Sequence, residues 1–215
     1  MNVLIISATE AEIRPLLDSR SEWPSAVHID VLITGVGMVA AAVQTASYLA
    51  THQIDAVLHV GIAGTFNVED ALGDVVVISE DGFPELGAED GEQFIPLSRL
   101  PIENNKDLTP DGPVIPDVIP FMDRVQHLSA VRGITVNKVH GSEVSIKAVQ
   151  ERWPADVETM ESAAVIYACN AADVPCLGLR GISNRVEKRN REAWDIELAV
   201  KNVNRETLDL IRGLV

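Results

Sequence analysis

The sequence is short of cationic charge, of aromatic side chains and of cysteine, and two of these shortages remove whole classes of function. Seventeen Lys and Arg stand against thirty-two Asp and Glu, for a formal net charge of -15 at pH 7. Polyanions are held by basic surfaces, so no nucleic-acid partner is expected. The acidity is spread along the chain and reads as a solubility feature. Two cysteines, Cys169 and Cys176, cannot build a disulfide framework, and their apolar neighbours make them structural buried thiols. The five histidines show no metal-ligand spacing, so no metal centre is expected. No apolar run reaches the roughly 18 residues that span a bilayer, and MNVLIIS carries no basic leader region. The expectation is therefore a cytoplasmic protein without a membrane partner.

What is present is a chain of 215 residues, 47% hydrophobic, enough to bury one sizeable core in a single domain over 1–215. Apolar β-favouring runs at Val3 to Ile6, Val27 to Thr34, Ala56 to Ile62, Asp74 to Ser79, Gly133 to Val139 and Val174 to Ser183 predict strands. Helical spacing appears at Glu10 to Leu17, after GVG in the Ala-rich segment, at Ser142 to Arg152, at Ala163 to Ala172 and over Asn190 to Leu214. This alternation predicts an α/β sheet covered by helices on both faces. Between 82 and 120 seven prolines interrupt the pattern, and so long an excursion reads as a lid, an interface arm or a flap.

Two glycine-rich turns, Gly35-Val36-Gly37 and Gly61-Ile62-Ala63-Gly64, are expected at strand ends, where missing side chains let backbone approach a ligand. GVGMVAA matches the dinucleotide fingerprint only in part: its third glycine position holds alanine, and no acidic residue ends a second strand about 20 residues on. A nucleotide cofactor is not expected, and plain strand-helix turns remain open.

Taken together and in order, Ala8-Thr9-Glu10-Ala11-Glu12, GVGMVAAA, GIAG, Val157-Glu158-Thr159-Met160-Glu161-Ser162-Ala163-Ala164 and Arg180-Gly181-Ile182-Ser183-Asn184 resemble the nucleoside phosphorylase/nucleosidase family over nearly the whole chain. The resemblance implies a three-layer α/β/α fold with a mixed central sheet, usually as a homodimer or larger homo-oligomer. It also implies hydrolysis of a small-molecule nucleoside with water as co-substrate and no metal or organic cofactor.

Breaking a purine C1'–N9 bond builds positive charge on the ribose and negative charge on the base, so a sugar cation, a leaving base and an attacking water must all be stabilised. By resemblance Glu12 holds and deprotonates the water, Glu161 accepts from the ribose hydroxyls and Met160 packs on the sugar. Ala63 and Gly64 line the base pocket, Ser183 orients Asn184 or touches the base, and Val139 and His140 belong to the segment whose backbone reads the purine edge. Other readings stay open: Glu12 as a partner of the first helix dipole, Met160 as core, Asn184 as a turn residue, His140 as a surface or capping histidine.

Asn184 departs from the adenine-specific members, which resemblance gives aspartate there. A 6-oxopurine offers acceptors at N7 and O6, and an amide can donate to O6 and accept from N7–H once N7 is protonated. Hypoxanthine is the better leaving base on this argument. Arg185, Lys188, Arg189 and Arg191 crowd into seven residues. They form either a partner for an anionic 5' substituent or a positive patch paired with Glu187, Glu192 or another subunit. Phosphorolysis would need cations near the first turns, where GIAG supplies Ile62 and no arginine. A catalytically silent binding protein would not need both Glu12 and Glu161.

Overall fold

The computed structural model describes residues 1–101, 110 and 112–214. In chain order it has β1 (Asn2–Ser7), α1 (Glu10–Asp18), β2 (His28–Ile33), α2 (Met38–Leu49), β3 (Ala56–Thr65), β4 (Val75–Glu80), β5 (Gly87–Asp90), β6 (Gln93–Pro96), β7 (Ser129–Thr135), α3 (Glu143–Arg152), β8 (Val157–Thr159), α4 (Ser162–Ala171), β9 (Cys176–Arg185) and α5 (Ile196–Arg212).

Seven strands join in the order β2-β1-β3-β8-β7-β4-β9, and β9 pairs back onto β3. That last pairing closes five of them into a small barrel, from which β1 and β2 extend as an open parallel wing. Within the barrel β3–β8 and β4–β9 are antiparallel and the other pairs parallel, which makes the sheet mixed. Val3 to Ile6 are fully buried because both sheet faces are covered. On one face Ile13 and Leu16 of α1 and Val203, Leu210 and Ile211 of α5 pack on Val3, Ile5, Leu58 and Leu179. On the other, Ala41 of α2 and Ala164, Val165 and Cys169 of α4 pack on Leu4, Ile6, Val57 and Ile182. Each fully buried Leu, Ile or Val contributes about 1.5–3 kcal/mol, so the two aliphatic layers supply most of the driving force. The expected three-layer α/β/α architecture is present, and Cys169 and Cys176 are free, buried thiols.

Several expectations need correcting. Gly61 to Gly64 is strand and not a turn, since β3 runs on to Thr65. β7 stops at Thr135, four residues before the predicted end. α5 begins at Ile196, where Asp195 accepts from Leu198 N, and only a short 3-10 turn (Arg191–Ala193) forms before it. The excursion from 82 to 120 is not without structure: β5 and β6 make an antiparallel hairpin, and Asp81 bridges Val114. Residues 102–109 and 111 of that excursion lie outside the described residues.

Several polar side chains are buried along the barrel strands. His59 from β3, Asp81 just beyond β4, Thr135 from β7, Thr159 from β8 and Arg180 from β9 are all at most 3% exposed. Asp81 Oδ1 accepts from Gly82 N (2.7 Å) and Thr135 Oγ1 (3.0 Å), while its Oδ2 is buried without a partner among the described residues. Burial pushes the Asp81 carboxyl up to about 7, against the opposing pull of those hydrogen bonds and of Arg180. A carboxyl raised on folding stabilises the native state at low pH, and that contribution is lost as pH climbs toward the folded-state value. Asp81→Asn keeps an accepting oxygen and removes the titration. Its stability relative to wild type, measured by urea denaturation, should therefore rise by a few kcal/mol between about pH 4 and pH 8; a constant difference would mean that Asp81 ionises as an ordinary carboxylate.

Candidate active site

One cavity of about 460 Å³ opens where the C-terminal ends of β1, β3 and β9 meet the starts of α1 and α4. It is lined by all nine site residues expected from the sequence: Glu12, Ala63, Gly64, Val139, His140, Met160, Glu161, Ser183 and Asn184.

Glu12 lies in the first turn of α1, where Thr9 is the N-cap of a capping box. Its Oε2 accepts from Thr9 N (3.0 Å) and Thr9 Oγ1 (2.7 Å), and its Oε1 faces Ile62 N at 3.4 Å. The capping contacts that satisfy the helix also fix one carboxylate oxygen, while the other borders the cavity with its longer bond from Ile62 N. Glu161 precedes α4 and makes no side-chain cap. Its Oε1 instead accepts from Gly37 N (2.7 Å) across the sheet. Gly35 and Gly37 have φ of +84° and +99°, backbone open mainly to glycine, so the GVG turn serves to aim an N–H at this carboxylate. Burial raises the Glu161 carboxyl above the usual range, opposed by the Gly37 hydrogen bond and by Arg180.

Arg180 was quoted within a motif but given no role, and the structure places it at the centre. Its guanidinium is fully buried behind the cavity floor, donating from Nη1 to the His59 and Leu179 carbonyls (both 2.7 Å) and from Nη2 to Ser162 Oγ (2.7 Å) and the His59 ring (2.8 Å to Nδ1). Burial and the neighbouring cation hold His59 far below the usual imidazole range, so it is a neutral acceptor. Burial also lowers Arg180, but Glu161, Glu12 and Asp81 counter it and it remains a cation. The available signal was an arginine within an otherwise apolar strand, since a buried charge needs partners.

Asn184 sits in a β-bulge and not in a turn. Ala63 pairs with Ile182 and Gly64 with Asn184, so Ser183 is the extra residue in β9 and the bulge re-aims Asn184 toward the cavity. The Ser183 hydroxyl reaches Ala63 O (3.1 Å) and Asn184 Oδ1 (2.8 Å), and Asn184 Nδ2 donates to Arg185 O (2.9 Å). An amide has two donors and two lone pairs, so one N–H and one lone pair stay available. A Cβ at Gly64 would stand 2.9 Å from Val186 Cγ2 and 3.0 Å from Asn184 Nδ2, so a larger residue there would require these side chains to shift.

His140 is neither a surface residue nor a cap. Its ring pairs with Glu158 and its backbone N donates to Glu158 Oε1 (2.9 Å), both side chains being nearly inaccessible. Burial raises the Glu158 carboxyl, and His140 pulls it back. Glu158 is a cavity residue that the sequence reading missed. Of the four clustered cations, Arg185 lines the cavity but is spent on the Asn67 and Asp70 carbonyls, and Lys188 and Arg191 do not line it. Arg189 does line it, with its guanidinium 5.4 Å from the centre of the Trp194 ring.

A half-enclosed, largely apolar cavity in which Glu12 and Glu161 stand nearest a buried cation, with an amide at one side, suits a neutral heterocycle joined to a polyol. The chain belongs to the phosphorylase superfamily, whose profile matches residues 2–215. A futalosine hydrolase of Acidothermus cellulolyticus is 37% identical over 81% of this chain and 71% of its own length. A 5'-methylthioadenosine/S-adenosylhomocysteine nucleosidase of Chromohalobacter salexigens is 27% identical over 76% of this chain and 70% of its own. The fold superposes on native futalosine hydrolase of Helicobacter pylori with a TM-score of 0.84 at 16% identity, covering 99% of this chain and 98% of that one.

Gly61 separates the two charged layers: a Cβ there would stand 3.0 Å from Glu12 Oε1 and 3.9 Å from the Arg180 guanidinium carbon. Gly61→Ala should displace the Glu12 carboxylate tip and slow nucleoside hydrolysis about tenfold or more with little change in Tm, since misplacements well under 1 Å suffice for such losses. Wild-type turnover in this variant would detach Glu12 from the chemistry.

Proposed function

We infer that the protein is an N-glycosyl hydrolase that cleaves futalosine to hypoxanthine and dehypoxanthine futalosine, a step of menaquinone biosynthesis. The observation that carries the reading is the bulged Asn184 amide, with one donor and one acceptor free, sharing a cavity with Glu12 and Glu161. The close relation to a named futalosine hydrolase supports it.

In this mechanism the purine lies against Ala63, Gly64 and Val139, and Asn184 donates to O6 and accepts from N7–H. As the C1'–N9 bond lengthens, electrons move into the base and N7 takes a proton. Asn184 has none to give, so solvent supplies it, and the amide oxygen binds the N7–H form more strongly than the substrate. Glu161 accepts from the ribose hydroxyls and places negative charge beside the sugar cation, with Met160 against the ring. Glu12 Oε1 takes a proton from the water that adds to C1'. Arg180 keeps both carboxylates together without entering the cavity. His140, anchored by Glu158, shapes the segment at the purine edge. The 5' side of futalosine bears an aryl carboxylate, and Arg189 over Trp194 offers it a cation and an aromatic face. A cytoplasmic homo-oligomer fits this reading: α2 exposes Val39 and Val43, and Val36, also exposed, borders the cavity.

Without phosphate, the purified protein should release hypoxanthine from futalosine and no adenine from methylthioadenosine. Adenine release would transfer the assignment to the methylthioadenosine-type activity, and release only on adding phosphate would make the reaction phosphorolysis. Glu12→Gln should abolish release while nucleoside still binds by calorimetry. Arg189→Gln should raise KM for futalosine about tenfold and leave inosine unaffected; equal effects on both would remove the 5' carboxylate contact. Light scattering should give a mass at least twice that of the single chain.

A further inference from the structure

The first backbone N–H groups of a helix need acceptors, and the N-cap side chain normally supplies one. Glu161 holds the N-cap position of α4 but does not cap it, because its carboxylate is committed to Gly37 N and the cavity. The N–H groups of α4 are satisfied from behind. Ser162 N donates to Thr159 Oγ1 (3.2 Å) and Ala163 N to Thr135 Oγ1 (2.8 Å). Thr135 in turn donates its only hydroxyl proton to Asp81 Oδ1, so across the 3.2 Å contact between the threonine hydroxyls Thr159 is the donor. The result is a one-way chain from two helix N–H groups through two threonines on adjacent strands into one buried carboxyl.

We propose that Thr135, Thr159 and Asp81 are positioning residues for the ribose-binding carboxylate: they cap α4 in place of Glu161 and so release Glu161 to face the sugar. Without this chain the Glu161 side chain becomes the nearest acceptor for the orphaned N–H groups and turns back toward its own helix. Gly133 belongs to the same device, since a Cβ there would stand 2.3 Å from Asp81 Oδ2. The missing Cβ leaves the room in which the carboxyl sits within reach of Thr135.

The inference rests on the reading of Glu161 as the ribose ligand, and its test separates the two. The measurement is kcat/KM for futalosine and for its 2'-deoxy analogue, which lacks one of the hydroxyls that Glu161 would hold. Thr135→Val keeps shape and removes the hydroxyl; the ratio of ribo to deoxy activity should fall about tenfold, as expected for coupled neighbours, and Thr135→Ser should restore it. In a Glu161→Gln background Thr135→Val should change the ratio no further. Thr159→Val tests the same chain should Thr135→Val fail to fold. If Glu161→Gln erases the ribo preference but neither threonine variant lowers it, the capping chain has no positioning role and the proposal falls. If Glu161→Gln itself keeps the full preference, the ribose assignment falls instead.

Discussion

The structure is organised around one buried guanidinium. Placing Arg180 inside a closed five-stranded barrel removes it from water, and such a burial is tolerated only when every donor is accepted and an opposite charge stands near. Those demands account for features that look unrelated in the sequence. His59 must be neutral to accept, β3 must present its carbonyl inward, and Ser162 must open α4 with a hydroxyl turned to the floor. Glu12, Glu161 and Asp81 must come close enough to keep the group charged. Two of those three carboxylates face the cavity, so the charge balance that permits the burial also assembles the site.

Helix starts carry the second half of the design. α1 and α4 both begin at the cavity, but they treat their acidic residues in opposite ways. α1 uses Glu12 Oε2 for its own capping box, and Oε1 accepts only the longer 3.4 Å bond from Ile62 N. α4 takes its acceptors from strands β7 and β8 and leaves the whole Glu161 carboxylate to Gly37 and the cavity. The first arrangement holds the Glu12 carboxylate at both oxygens. The second holds Glu161 by a single bond at Oε1 and leaves the carboxylate further lone pairs.

Much of this was legible in the chain. The aliphatic runs at Val3 to Ile6 and Ala56 to Ile62 located the central strands, and the motif residues converged on one cavity as the resemblance implied. What escaped were features set by pairing and not by local pattern. β8 is three residues long and has no period to read, yet it completes the barrel and carries Glu158 and Thr159. The Ser183 bulge depends on register against β3, so Asn184 looked like a turn residue when it is a strand residue re-aimed. The return pairing of β9 on β3, which buries Arg180, joins residues over 100 positions apart and leaves no trace in either strand alone. GIAG was misplaced as a turn for a related reason: its glycines serve the close approach of Glu12 and Asn184 to β3, not a reversal of the chain.

The same charge arrangement bears on why water and not phosphate attacks. A phosphate nucleophile would bring further negative charge to a cavity lined by Glu12, Glu158, Glu161 and Glu187, of whose two arginines Arg185 is held by the Asn67 and Asp70 carbonyls. Arg180 lies outside that lining, and its Nη1 and Nη2 groups are already engaged by His59, Leu179 and Ser162. Arg189 lies toward Trp194, away from Glu12's partners Thr9 and Ile62. An anion at C1' would therefore meet carboxylates without a free counter-charge, at a cost in a partly desolvated cavity of several kcal/mol. A water carries no such charge and gives its proton to the carboxylate that would repel the phosphate. The cavity carboxylates thus disfavour an anionic nucleophile by the same electrostatics that would favour a sugar cation.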